Sequence, residues 1–161
     1  MASSATRLPP AGLDLSTPAG LAKALAIGAS ECLKAAHDLD AGFSDLTGEY
    51  IVTFHAIELG LKAFLISKGV TEKQLRKRPF GHDLVHLYEE AKTRGMLLNI
   101  PNTDDLISWI NEWHCDEVKI RYDFKQARTL PICNALFPLA EAIIALTGKI
   151  PNPPIKPTAA E

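Results

Sequence analysis

Apolar residues recur every three or four positions between about residues 18 and 148, the spacing of helices that bury one face. The first segment with this pattern covers residues 21–39. Ser16 or Thr17 can cap its N-terminus, and Pro18 suits the first turn, where a missing backbone N–H costs nothing. We therefore predict a first helix that begins near Pro18.

Two further segments repeat the helical spacing and end at glycines. Residues 50–64 predict a second helix of about six turns that stops at Gly69. After a charged loop, residues 84–91 predict a shorter third helix that ends near Gly95.

A fourth helix is predicted after Pro101. Asn102 or Thr103 can cap it, and its buried face should contain Leu106, Ile110 and Trp113. Two aspartates early in the segment suit the positive end of the helix dipole.

The last helix is predicted over residues 132–146, with a kink at Pro138 and an end at Gly148. Residues 118–124 fit a short extended piece and a continuation of the preceding helix equally well. The fold class predicted is all-α: a single up-and-down bundle of about five helices.

Prolines concentrate at both ends of the chain. We predict a flexible N-terminal tail over residues 1–17, a helical body over residues 18–148 and a proline-rich C-terminal tail over residues 149–161. The prolines in these two ends are Pro9, Pro10, Pro151, Pro153, Pro154 and Pro157.

Composition and charge narrow the class of protein. The chain has 161 residues, 47% of them hydrophobic, enough for one domain with a core. Its net charge of −2 gives no overall attraction to nucleic acid or anionic membranes, so any such contact needs a local patch. The most apolar stretches, residues 50–66 and 132–147, contain charged residues, and we expect core helices rather than membrane spans. No secretory pattern opens the chain, and three scattered cysteines suggest a reducing compartment, so we predict a cytoplasmic protein.

Three polar residues form a stripe on the apolar second helix. His55, Glu58 and Lys62 follow the spacing i, i+3, i+7, and Glu58 and Lys62 can form an i,i+4 ion pair. One interpretation is a solvated seam. The other places the stripe in a cleft or a dimer interface, because its flanks are strongly apolar.

The loop before the third helix contains the main cluster of basic residues. A helix N-terminus next to cations can bind an anion, with His82 as a titratable donor. Alternatively, the loop is merely solvated, with Gly81 making the turn and Asp83 favouring the dipole, or it forms part of a nucleic-acid surface. Its cations are Lys73, Arg76, Lys77 and Arg78.

Metal and thiol chemistry are not expected. His82 and His86 have the i,i+4 spacing of zinc ligands, as in HExxH with Asp for Glu, but no third ligand can be placed. His114 and Cys115 are adjacent and should point apart. Nothing local activates Cys115 or Cys133 as a nucleophile. We predict no metal site and no cofactor.

Phosphate-loop chemistry is also excluded, because the glycines are isolated.

Arg121 and Tyr122 place a fixed cation and a phenol before the last helix. Their simplest role is to stabilise the connection before the last helix, with Arg121 paired to Glu58 or Asp116.

Three segments together resemble the HEPN superfamily of small helical bundles: FHAIELGLKAFLISKG (54–69), FGHDLVHLYEEAK (80–92) and IRYDF (120–124). The resemblance covers roughly residues 21–146. It implies a bundle that commonly dimerises, often acts on or binds RNA, and is often encoded with nucleotidyltransferase or toxin–antitoxin partners.

The resemblance also implies where a ribonuclease site would lie. Active members use an Arg followed four to six residues later by His near the start of a late helix, and no histidine follows Arg121 at that distance. Arg76 and His82 have such a spacing, but in the wrong loop. The catalytic candidates are therefore only His82, Arg121 and Arg76.

Three functions follow as hypotheses. The leading one is a non-catalytic, dimeric HEPN-like module that binds RNA, a nucleotide or a protein partner, and the alternative is a metal-independent ribonuclease with a rearranged site. The third is an interaction subunit that uses the apolar surface of the second or last helix. The ligand-binding candidates are Glu58, Lys62, Arg78, His82, Asp83, Arg121 and Tyr122.

Overall fold

The described part of the chain consists of helices, turns and loops. A computed structural model describes residues 13–41, 46–114 and 133–150, and no strand occurs within these ranges. The all-α prediction is confirmed. The helices are α1 (Pro18–Ala41), α2 (Leu46–Ser67), α3 (Glu72–Leu75), α4 (Leu84–Thr93), α5 (Thr103–His114), a short 3₁₀ helix (Cys133–Leu136) and α6 (Phe137–Thr147).

Helix α2 lies at the centre and contacts α1, α4, α5 and α6. Among the described residues, its segment Gly48–Ser67 alone has the length and apolarity of a membrane span, but 67% of that window is buried inside the protein. Burial of this kind is typical of a core helix. An interaction surface on α2 or on the last helix stays a prediction.

The predicted start of α1 and the predicted end of α2 are confirmed, while α2 begins at Leu46, four residues earlier than predicted. The Thr17 hydroxyl accepts a hydrogen bond from the Gly20 N–H at 3.1 Å, and Pro18 is the first helical residue. After α2, Gly69 adopts a φ of 88°, which favours glycine and ends the helix.

Helix α3 occupies part of the predicted charged loop. Thr71 accepts a hydrogen bond from the Gln74 N–H, and the Gln74 side chain accepts one from the Thr71 N–H at 2.9 Å. This reciprocal cap stabilises a single turn. Leu75 is buried and anchors it to the core. The prediction of a loop was therefore wrong at residues 72–75.

The buried face of α5 differs from the predicted one. Ile110 and Trp113 are buried as expected, but the third apolar position is Ile107, and Leu106 is only partly buried. Leu106 and Ile107 lie about 100° apart around the helix axis, on either side of Ile110, and the buried face is rotated toward Ile107. Thr103 completes the buried set.

Pro138 does not kink a continuous last helix. The chain first forms the 3₁₀ helix Cys133–Leu136, and Pro138 then lies within the first two positions of α6. A proline there leaves no intrahelical bond unmade, so the predicted kink was wrong. Gly148 caps the C-terminus, as predicted.

Gly60 allows α2 and α6 to approach closely. A Cβ on Gly60 would lie 2.7 Å from Ile143 Cγ2, whereas one on Gly48 would lie 3.7 Å from Leu39 Cδ1, an ordinary contact. Gly60→Ala is expected to destabilise the protein by about 1 to 2 kcal/mol, because the overlap outweighs the gain in helix propensity. Gly48→Ala should stabilise it by about 0.5 kcal/mol. Urea denaturation of both variants measures the difference, and equal stabilisation would contradict the close approach.

Candidate functional site

A buried carboxylate on α2 is the centre of the candidate site. Glu58 is 2% exposed, although its helix is otherwise strongly apolar. A buried carboxylate needs charge compensation and hydrogen-bond donors to remain ionised. The contacts of Glu58 supply both.

Among the described residues, three contact the Glu58 carboxylate directly. Lys62, one turn along α2, binds Oε1. The Nδ1 atom of His82 lies 3.1 Å from both carboxylate oxygens, and Nε2 of His114 lies 2.6 Å from Oε2. We call Glu58, His82 and His114 the carboxylate–histidine cluster.

The loop into α4 and the end of α5 position the two histidines. His82 precedes Asp83, the N-cap of α4, and His114 is the last residue of α5. The Leu84 N–H donates to the Asn111 side-chain oxygen at 2.7 Å, tying the start of α4 to α5. This bond fixes the approach of both histidines to α2.

Aromatic packing holds the cluster from inside. The His114 ring lies edge-on to Phe54 and to His82, with 6.1 Å between ring centroids in each pair. Phe54 is fully buried, the His114 side chain is 15% exposed, and the His82 side chain is 52% exposed. The cluster therefore runs from the core to the surface.

The surroundings of Glu58 lower its pKa. Burial acts to raise the pKa of this carboxyl, but hydrogen bonds led by that from His114, together with the charge of Lys62, outweigh it and hold the pKa far below its usual value. His55 Nδ1 lies 3.9 Å from Oε2, farther than His114 Nε2 at 2.6 Å. Glu58 is therefore an ionised group at neutral pH.

The structure brings together Glu58, Lys62 and His82 from the predicted binding residues. The predicted Glu58–Lys62 pair is confirmed, but the interpretation of the stripe as a solvated seam is wrong at Glu58. Asp83 has a different role, because its carboxylate caps α4 by accepting from the His86 N–H at 3.0 Å.

The catalytic candidate Arg76 is bound elsewhere. It is exposed and pairs with Glu72 on the same turn. Arg78 is also exposed. Arg121 and Tyr122 lie outside the described residues, as do their expected contacts to Glu58 and Asp116 and the position of Cys115.

The His82–His86 spacing does not produce a helical ligand pair. Helix α4 begins after His82, which turns to Glu58, whereas His86 Nδ1 lies 2.9 Å from the Asp83 carboxylate. The N-cap at Asp83 is the reason, because it places the first histidine outside the helix.

His114 was considered only as a neighbour of Cys115, and its contact with Glu58 was not predicted. It lies one turn after the buried Ile110 on α5, so its position on the inward side was visible in the helical spacing. Nothing local indicated that this face meets Glu58, which lies 56 residues earlier in the chain.

Cys133 is not an activated nucleophile, which agrees with the sequence analysis. Burial, with the Glu49 carboxylate nearby, raises the pKa of its thiol to about 12, and its Sγ lies 3.4 Å from the Thr53 hydroxyl. The thiol is therefore protonated at neutral pH.

No model of a known protein family matches this chain, and neither a curated protein nor a solved structure matches it. The class that the fold and the site define is an all-α helical bundle with a carboxylate–histidine cluster where α2, α4 and α5 meet.

Proposed function

We propose that this protein is a HEPN-like binding module that holds RNA without cleaving it. The observation that carries the proposal is the charge on the segment between α2 and α4. Four exposed cations lie within six residues, and the neighbouring acidic residue is Glu72. The cations are Lys73, Arg76, Lys77 and Arg78. Single-stranded RNA binds such surfaces through its phosphates.

The cations lie on a fixed surface rather than a tail. The Thr71 cap and the buried Leu75 hold α3 in place, and the Gly81 N–H donates to the Leu75 carbonyl at 3.0 Å. A fixed set of cations loses less conformational entropy on binding a phosphate backbone. The net charge of −2 makes this local surface, rather than the whole chain, the place for RNA.

The arrangement of Arg76 and His82 favours binding over cleavage. A metal-independent ribonuclease needs an imidazole for proton transfer and a cation on the scissile phosphate. Arg76 pairs with Glu72, while His82 contacts Glu58. The two candidate groups are thus engaged with different carboxylates.

An RNA-binding titration in a chelator tests the proposal. Lys77→Ala/Arg78→Ala is expected to weaken binding of a single-stranded RNA and to lower the slope of log affinity against log salt by about 1.4. The matched control Lys34→Ala/Lys149→Ala, which removes two exposed cations elsewhere, should leave that slope unchanged. Equal losses in the two double variants would contradict a binding surface at residues 73–78. The RNA should also stay intact on a gel.

A rearranged ribonuclease is the second candidate, and one contact favours it. The buried Glu58 carboxylate orients the half-exposed His82 ring, as a carboxylate does for a catalytic histidine. RNA cleavage by the wild type that is lost in His82→Ala and Arg121→Ala would replace the binding proposal by this one.

The proposal includes a homodimer, as the HEPN resemblance implies. Light scattering on the purified chain measures its mass. Three further expectations stay predictions: a separately encoded toxin–antitoxin partner, a nucleotide ligand and the cytoplasmic location.

A further inference from the structure

Three potential metal-ligand atoms converge at the carboxylate–histidine cluster. One nitrogen from His82, one from His114 and one oxygen from Glu58 all lie within 4.8 Å of one another. Ligand atoms around a tetrahedral zinc ion are separated by about 3.3 to 3.6 Å. The separations of 2.6 and 3.1 Å from Glu58 to the histidines are close to this range, so small side-chain movements would admit an ion.

The donor chemistry selects the class of ion. Two imidazole nitrogens and one carboxylate suit zinc and related divalent transition metals, whereas Mg²⁺ and Ca²⁺ prefer oxygen ligands. Three ligands from the described residues leave a fourth position for a further protein group, water or a bound group. We infer that Glu58, His82 and His114 form a binding site for one divalent transition-metal ion, with Zn²⁺ as its representative.

The two oxygens of Glu58 can serve different cations. Oε1 binds Lys62, while Oε2 lies 2.6 Å from His114. Coordination through Oε2 alone keeps the Lys62 ion pair. The Lys62 charge still repels the ion, so removing that charge should tighten metal binding.

The ligands are held before an ion arrives. The Asp83 cap and the Leu84–Asn111 bond fix the backbone next to both histidines, and Glu58 lies on the central helix. The exposed side of His82 provides a path for the ion from solvent. Preorganisation of this kind lowers the cost of metal binding.

This inference is independent of the proposed RNA binding and departs from the expectation of no metal site. The sequence offered His82 with His86, or His114 with Cys115, as pairs. The structure instead joins His82 and His114 through Glu58, a combination that needs the tertiary fold.

A zinc titration of the full chain, stripped of metal with a chelator that is then removed, tests the site without RNA. Calorimetry should detect one Zn²⁺ per chain, and Co²⁺ should give the visible absorption of a tetrahedral site. Glu58→Gln, His82→Ala and His114→Ala should each weaken binding by more than the 10- to 100-fold typical of losing an outer-shell partner. Lys62→Gln should bind more tightly than wild type.

His86→Ala is the matched control. The His86 side chain is 53% exposed, almost as much as that of His82, but it contacts Asp83 rather than Glu58. It should bind zinc like the wild type. A wild-type chain that binds no zinc, or equal losses in His86→Ala and His82→Ala, would overturn the inference. Should Glu58→Gln or His114→Ala fail to fold, the exposed His82→Ala variant decides. Because the RNA titration contains a chelator, either proposal can fail alone.

Discussion

Replacing Glu58 by glutamine is expected to lower the free energy of unfolding by about 3 to 5 kcal/mol. The neutral amide removes the charge that compensates Lys62, whose side chain is only 17% exposed, and weakens the contacts to His82 and His114. The lower figure is the better expectation, because Lys62 and His82 can turn toward water. Urea denaturation followed by circular dichroism measures the change.

Two control variants make this prediction specific. Glu58→Gln/Lys62→Gln should lose less stability than the sum of its single variants, because no unpaired charge is left. Glu89→Gln, which breaks an exposed pair with Lys92, should change stability by less than about 0.5 kcal/mol. A Glu58→Gln variant as stable as Glu89→Gln would contradict the buried role of the carboxylate.

Replacing Phe54 by alanine is expected to cost about 3 to 5 kcal/mol, the usual range for a buried phenylalanine. Phe54 is fully buried, and its ring packs 5.8 Å from that of Tyr50 and 6.1 Å from that of His114. Removal of the Phe54 ring leaves a cavity in the core and removes the aromatic contact to His114. Stability again comes from urea denaturation.

The effect on the site separates this variant from an ordinary core mutation. In Phe54→Ala, the nuclear magnetic resonance signals of the His114 ring should shift more than those of His37, which packs on Phe137 instead. Phe54→Leu keeps most of the volume and should lose less stability. A stable Phe54→Ala variant with unchanged His114 signals would contradict the packing of the site on the core.

Much of the helical fold was predictable because each buried face appears in the sequence as a three-to-four residue spacing. What could not be predicted depends on neighbouring elements. The exchange of Leu106 for Ile107 reflects the rotation of α5 against its neighbours. Pro138 fits either a kink or a helix start, and the 3₁₀ helix before it decides the outcome. The single turn at residues 72–75 is stabilised by a reciprocal cap, and one turn is too short to show a helical spacing in the sequence.

The site was predictable only in part. Glu58 and Lys62 stand out because polar residues interrupt an apolar helix, and His82 stands out beside the cations. His114 does not, because its contact with Glu58 joins α2 to α5 across 56 residues, and local spacing carries no information on such a contact. Arg121 lies outside the described residues, so its contribution to the site stays a prediction.

A double-mutant cycle between Glu58→Gln and His114→Ala measures whether these residues form one site. Because Nε2 and Oε2 are 2.6 Å apart, we expect a coupling energy of about 1.5 to 3 kcal/mol, that of a charged hydrogen bond. The same cycle with His37→Ala, whose imidazole pairs with Glu141, should give less than about 0.5 kcal/mol. Additive effects for Glu58 and His114 would contradict the cluster and, with it, the metal site.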